Sequence, residues 1–355
     1  MNKTKATYHH GRGAQHNPQN RFAAHERVIE HIEGVDEDGE SEGRRTKYIE
    51  VFPKSIVTRV NSPDLGFNWS MNPYQGCEHG CIYCYARGSH EYYGYSAGRD
   101  FEEKVLYKKN AAQLLEATFL KKSWQPELIV LSGNTDCYQP AERKFEITRQ
   151  LLEVCLKYRN PVGIITKNSL MLRDLDLLIQ LNELNLLRVT LSITTLNEKV
   201  RRIMEPRTAS VQQRLKTLQV LSEAGIKVNV NMAPIIPAIN SHEVFELVKT
   251  VGAHGAHSAG YIMVRLNGHN GQLFTDWVEQ NFPDRAEKVL NLIKETHGGS
   301  LSETRWKLRM RGEGHYAEQV RSQFKLAQKR FLSGEKLPPT DTSLFTKGGQ
   351  ITMEF

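Results

Sequence analysis

What the chain lacks narrows its chemistry first. No apolar run approaches the ~20 residues that a membrane-spanning helix needs, so no membrane partner is expected. The N-terminus is polar and basic, without the apolar stretch of a secretory leader. Cysteine is scarce, at five in 355 residues. A disulfide-built scaffold is thereby excluded, and the reducing cytoplasm is the expected compartment. Charge of neither sign dominates: 47 Lys and Arg stand against 40 Asp and Glu, for a net charge of +7. The excess is spread along the chain, with no stripe of basic and aromatic residues. It permits a nucleic-acid substrate without requiring one.

Three of the five cysteines nevertheless crowd into one stretch. Residues 72–87 read Asn-Pro-Tyr-Gln-Gly-Cys-Glu-His-Gly-Cys-Ile-Tyr-Cys-Tyr-Ala-Arg, which spaces Cys77, Cys81 and Cys84 as C-x3-C-x2-C. Three thiolates on one short loop can face a common metal centre. A closed structural zinc site takes four protein ligands, whereas three thiolates on a four-iron cluster leave one iron open to a reacting group. Gly76 and Gly80 let the loop wrap closely, because glycine tolerates positive φ. Tyr83, between the last two cysteines, can cover the centre and exclude water. The competing reading completes a Cys3His zinc site with His79 and makes the chain an interaction or scaffold module. An odd number of close cysteines argues against a disulfide.

The spacing C-x3-C-x-aromatic-C resembles the signature of radical S-adenosylmethionine (SAM) enzymes. The longer string over 72–87 resembles the branch related to spore photoproduct lyase. The resemblance implies a [4Fe-4S] cluster whose open iron chelates SAM. It also implies a 5′-deoxyadenosyl radical that takes hydrogen from a substrate, and a reductant such as flavodoxin or ferredoxin.

Along the rest of the chain, residues 1–46 have the composition of a flexible polar arm, with a short docked helix expected over 22–32 and an acidic run over 34–42. Residues 47–62 read as an extended lead-in, 63–300 as the core, and 301–355 as a helical extension and tail. Six short apolar strands are expected over 68–72, 128–131, 162–166, 187–193, 226–232 and 261–266. Helices are expected between them over 111–122, 140–158, 172–184, 211–224 and 241–251. Apolar strands alternating with helices indicate a parallel sheet buried on both faces. The fold class is therefore α/β, a partial (β/α)6 TIM-like barrel, as the resemblance also implies. Tyr316, Val320, Phe324, Ala327 and Phe331 recur at helical spacing and predict an amphipathic C-terminal helix. Its basic side, with Arg321, Lys325, Lys329 and Arg330, reads as solvated.

Ligands of parallel β/α folds sit at the carboxyl ends of the strands, which selects the remaining candidates. Tyr85, next to Cys84, is placed to meet the adenine of SAM. After the second strand, Asn134, Thr135 and Asp136 replace apolar residues abruptly. The resemblance assigns that position to the SAM amino group, although the chain departs from the common Gly-Gly-Glu form. The resemblance likewise makes Lys167 a SAM contact and raises Cys137 as a hydrogen donor to a product radical, with an inert buried thiol as the alternative. Ser192 and Thr194 are candidates for the ribose hydroxyls. Arg207 is a candidate for a carboxylate, the stretch 232–237 for an apolar adenine wall, and Arg265 with Asn267 for closing the ring. Cys155 lies on an apolar helical stripe and reads as core.

Overall fold

The computed structural model describes residues 9–22 and 46–348. The helix expected over 22–32, apart from Phe22, and the acidic run over 34–42 lie outside the described residues. Ten strands are described: β1 (Lys47–Val51), β2 (Val57–Arg59), β3 (Trp69–Met71), β4 (Tyr74–Gln75), β5 (Lys104–Lys108), β6 (Ile129–Leu131), β7 (Val162–Thr166), β8 (Leu187–Ser192), β9 (Val228–Ile235) and β10 (Ser258–Met263). Six of them form a parallel sheet in the order β10-β9-β8-β7-β6-β3, and β2 adds an antiparallel edge. Among the described residues no hydrogen bonds join β10 to β2, so the sheet stays open. This is the six-unit partial barrel that the strand–helix alternation predicts. Consecutive strands are spatial neighbours because each helix returns the chain to the next position along one sheet.

The strands differ from the expectation in one respect. β8, β9 and β10 are not apolar throughout but alternate buried and half-buried residues. Thr190, Asn229 and Ser258 hydrogen-bond one another across this less buried face, at 3.0 Å for Ser258–Asn229 and 3.4 Å for Asn229–Thr190. Period-two alternation puts one face of each strand under the helices and leaves the other polar. A second, three-stranded sheet (β1-β5-β4) was not anticipated.

The single helix expected over 140–158 is two, Glu142–Phe145 and Ile147–Tyr158. Glu146 between them is left-handed, with φ 50°. The cause is Glu142, whose buried carboxylate accepts from Tyr74 Oη at 2.5 Å, Arg173 Nη2 at 2.7 Å and the Thr148 amide at 3.0 Å. The last of these satisfies an otherwise orphaned donor at the start of the second helix.

The C-terminal helix Gly314–Phe331 buries Ala317, Val320, Phe324 and Ala327. It packs on Val244–Ala253, where the Phe245 and Phe331 rings lie 5.4 Å apart. Lys325, Lys329 and Arg330 face solvent, as expected. The N-terminal arm corrects the expectation of flexibility for residues 9–22, which are docked and bury Arg12 and Ala14.

Candidate metal centre and its surroundings

The cysteine loop follows β3 of the large sheet and β4 of the small one and is pinned from several sides. The Cys77 amide donates to Phe101 O at 2.7 Å, and Ile82 N donates to Met204 O at 3.1 Å. Gln139 bridges the loop, accepting from the Glu78 amide and donating to Gly76 O, each at 3.0 Å. Asn270 Nδ2 donates to Cys84 O at 2.8 Å. Gly76 and Gly80 have φ of 81° and 64°, the left-handed turns that the sequence predicts there.

Cys77, Cys81 and Cys84 are free thiols that feel one another electrostatically. Burial pushes the Cys81 thiol up to about 12, with Lys167 pulling the other way. Burial likewise raises Cys77 and Cys84, against the backbone amides of Asp136 and Ala86 that point to their sulfurs. Buried, mutually repelling thiolates form only with a compensating cation, and that is the donor set an iron–sulfur cluster requires. The residues present fit such a group.

His79 is not a fourth ligand. Its Nδ1 lies 3.3 Å from Asp136 Oδ2 and its Nε2 lies 3.2 Å from Asn168 Nδ2, so both ring nitrogens are engaged. The Cys3His zinc reading is therefore not favoured.

Asp136 is the hub beside the loop. Burial alone would raise its carboxyl, but His79 and Lys167 outweigh that and hold it at about 2. Its Oδ1 accepts from Thr166 Oγ1 at 2.7 Å and its Oδ2 from the Lys167 amide at 2.8 Å. Lys167 stays cationic: burial disfavours its charge, and the field of Cys81, Glu205, Asp136 and Cys84 restores it. Asn134 and Thr135 hydrogen-bond the surrounding scaffold. Asn134 Nδ2 donates to Gln75 Oε1 at 3.1 Å and Ser89 Oγ at 2.9 Å, and Thr135 Oγ1 donates to Tyr74 O at 2.7 Å.

Tyr83 is buried and its hydroxyl donates to Glu205. Tyr85 is 58% exposed, and its hydroxyl donates to Gly133 O at 2.7 Å. Thr194 also donates to Glu205, at 2.8 Å, which occupies the hydroxyl expected to meet a ribose. Ser192 is buried, with its carbonyl accepting from Arg214 Nη1 at 3.0 Å. Arg265 lies near Tyr85, and its buried Nη1 has no hydrogen-bond partner among the described residues. That orphaned donor suits an anionic ligand. Met232, Ile235 and Ile236 are buried in the core.

Three further candidates have protein partners or surroundings of their own. Arg207 pairs with Glu78 at 3.2 Å rather than facing a ligand. The Asn267 side chain holds the C-terminal extension, accepting from Ser302 Oγ at 2.9 Å. Cys137 is fully buried in the main core with Met71, Tyr74 and Ile164. That burial is what the inert-thiol alternative expects.

Glu205 and Arg214 were missed as a pair. They meet under the loop, fully buried. Burial alone would raise the Glu205 carboxyl, but Arg214, Lys167 and Tyr83 hold it at about 2.

The chain is 29% identical to an uncharacterized protein of Mycobacterium tuberculosis over 248 residues, 69% of this chain and 73% of the relative. It is 30% identical to an uncharacterized protein of Methanocaldococcus jannaschii over 247 residues, 70% of this chain and 88% of the relative. Among solved structures it is similar to spore photoproduct lyase complexed with dinucleoside spore photoproduct, with TM-score 0.58, 15% identity, and coverage of 81% of this chain and 80% of that one. A mutant of that lyase with bound AdoMet and dinucleoside spore photoproduct aligns with TM-score 0.56 at 15% identity, over the same shares of the two chains. At such identity these two structures support the fold. The model of the Radical SAM superfamily matches residues 71–251, and the chain belongs to that superfamily.

Proposed function

We propose that Cys77, Cys81 and Cys84 hold a [4Fe-4S] cluster at which SAM is reductively cleaved, and that the chain is a radical SAM enzyme acting on a substrate by hydrogen abstraction. When bound, the cluster supplies one electron and SAM supplies the 5′-deoxyadenosyl radical. The observation that carries the reading is the set of three free, shielded thiols on one loop at the carboxyl end of the sheet, with the Lys167 ammonium in their field.

The chain's own residues bind, orient and exclude water. Tyr83 closes the apolar side of the loop together with Ile82 and Met204. Lys167 offers a cation for the carboxylate of SAM, and Asp136 an anion for its ammonium. The exposed Tyr85 ring and the partnerless Arg265 donor stand outside that pair, where adenine or substrate would arrive. Flavodoxin or ferredoxin is the class of reductant, and the reducing cytoplasm is the compartment. No helix among the described residues is long and apolar enough to cross a membrane. A nucleic-acid substrate, repaired or modified, is compatible with the net charge of +7 and with the substrate named for the similar lyase structures.

The test is anaerobic. Reconstituted protein should contain iron and sulfide, absorb broadly near 400 nm as iron–sulfur proteins do, on the order of that wavelength, and release 5′-deoxyadenosine from SAM under strong reductant. Zinc-loaded, colourless protein that leaves SAM intact would sink the reading.

A further inference from the structure

The N-terminal segment lies outside the residues matched by the superfamily model, yet it meets the cysteine loop at its tightest turn. Gly13 sits backbone against backbone: a Cβ there would stand 1.9 Å from the carbonyl oxygen of Gly80. Gly80 is equally confined, since a Cβ on it would stand 2.7 Å from Glu102 Oε2.

Glu102 is fully buried. Its Oε2 accepts from the Gly13 amide at 3.0 Å, and its Oε1 accepts from the Ala14 amide at 2.8 Å and from Arg87 Nη2 at 2.5 Å. Arg87, also fully buried, grips the Cys81 carbonyl through Nε at 3.1 Å and Nη2 at 2.9 Å, and Gly98 O through Nη1 at 3.0 Å. Arg12 Nη1 closes the arrangement on the Glu102 carbonyl at 2.7 Å. Ala14 itself is buried in the apolar group that contains Cys81, Ile82 and Tyr83.

A buried carboxylate persists only while donors surround it. Two of the donors to Glu102 are main-chain amides of the N-terminal segment. Without them Glu102 loses its fixed position, Arg87 loses its counter-charge, and the Cys81 carbonyl loses its clamp. Three thiolates that repel one another need such an outer frame to hold their loop in place before metal arrives.

We infer that Arg12, Gly13 and Ala14 belong to the cluster-holding unit: through Glu102 and Arg87 they set the turn at Gly80 and Cys81, shaping the loop before an iron–sulfur centre binds. This rests on the cysteines being cluster ligands.

The test compares iron and sulfide uptake by the full-length wild type, Gly13→Ala and a control, Gly66→Ala, whose added Cβ meets nothing within 4 Å. Gly13→Ala should bind the centre roughly ten- to hundredfold more weakly, as losses of outer-shell support do, and bleach faster in air. Gly66→Ala should match wild type. A second measurement needs no variant. In wild-type apoprotein, hydrogen exchange of residues 9–22 and 76–87 should open as one unit, and both should slow on iron–sulfur reconstitution. Equal uptake and bleaching by Gly13→Ala, or independent exchange of the two segments, overturns the inference. Wild type that takes up no iron overturns the proposed function instead.

Discussion

The phenol of Tyr83 donates to the Glu205 carboxylate, which is also held by Arg214 and by Thr194 at 2.8 Å. A residue of the cysteine loop is thus tied to a buried ion pair beneath it. Glu205→Gln removes the charge facing Arg214. It should destabilise the apoprotein by about 3–5 kcal/mol, as removal of one member of a buried pair does. Tyr83→Phe should cost less, about 1.5–3 kcal/mol, the scale of one lost hydrogen bond to a charged group. Urea unfolding measures both, and an equal loss in the two variants would contradict this ranking.

The cysteines should divide into two classes. Cys77→Ala, Cys81→Ala and Cys84→Ala should each abolish iron retention and 5′-deoxyadenosine formation. Cys137→Ala and Cys155→Ala remove fully buried core thiols. They should retain the cluster while losing on the order of 1–2 kcal/mol of stability. Lost or altered product in Cys137→Ala, with normal iron content and normal 5′-deoxyadenosine release, would restore a hydrogen-donor role for that thiol.

Lys167→Met should leave iron content unchanged and weaken SAM binding. Removing a cation that faces a carboxylate costs about 1.5–3 kcal/mol, which is roughly ten- to a hundredfold in Kd. Calorimetric titration of SAM into anaerobic holoprotein reads this directly. An unaltered Kd would show that the carboxylate binds elsewhere, with Arg265 the next cation to substitute.

Acid should unfold the apoprotein through Asp136 and Glu205. Both carboxyls are depressed to about 2, from ordinary values of 3.8 and 4.5. A depressed carboxyl contributes stability that is complete above its unfolded value and lost as pH falls through its folded one. The urea midpoint should therefore hold steady from neutral pH to about 5.5 and fall steeply towards about 2. Asp136→Asn should reduce that slope, and a slope equal to wild type would exclude Asp136 as a contributor.

The cysteine triad was readable because Cys77, Cys81 and Cys84 are neighbours in the chain, and their spacing alone limits what they could hold. The parallel sheet was readable for a similar reason. Val162–Thr166 is bounded by Pro161 and Lys167, and the observed strand coincides with the expected one. The break at Glu146 was not readable, because a carboxylate that meets Tyr74 and Arg173 creates it. The alternation in β9 was discounted as well, although Asn229 and Asn231 were in plain view within an apolar run.

The sequence by itself determined the cysteine loop, the six strand–helix units and the order of the strands, because each depends on residues close together along the chain. Tertiary structure alone decided which polar groups survive burial. Glu205 with Arg214, Glu102 with Arg87 and the Gly13 amide, and Asp136 with His79 are partners brought together by folding. A buried charge keeps its place only where such partners meet it, and that pairing turned an apparently loose arm into part of the candidate site.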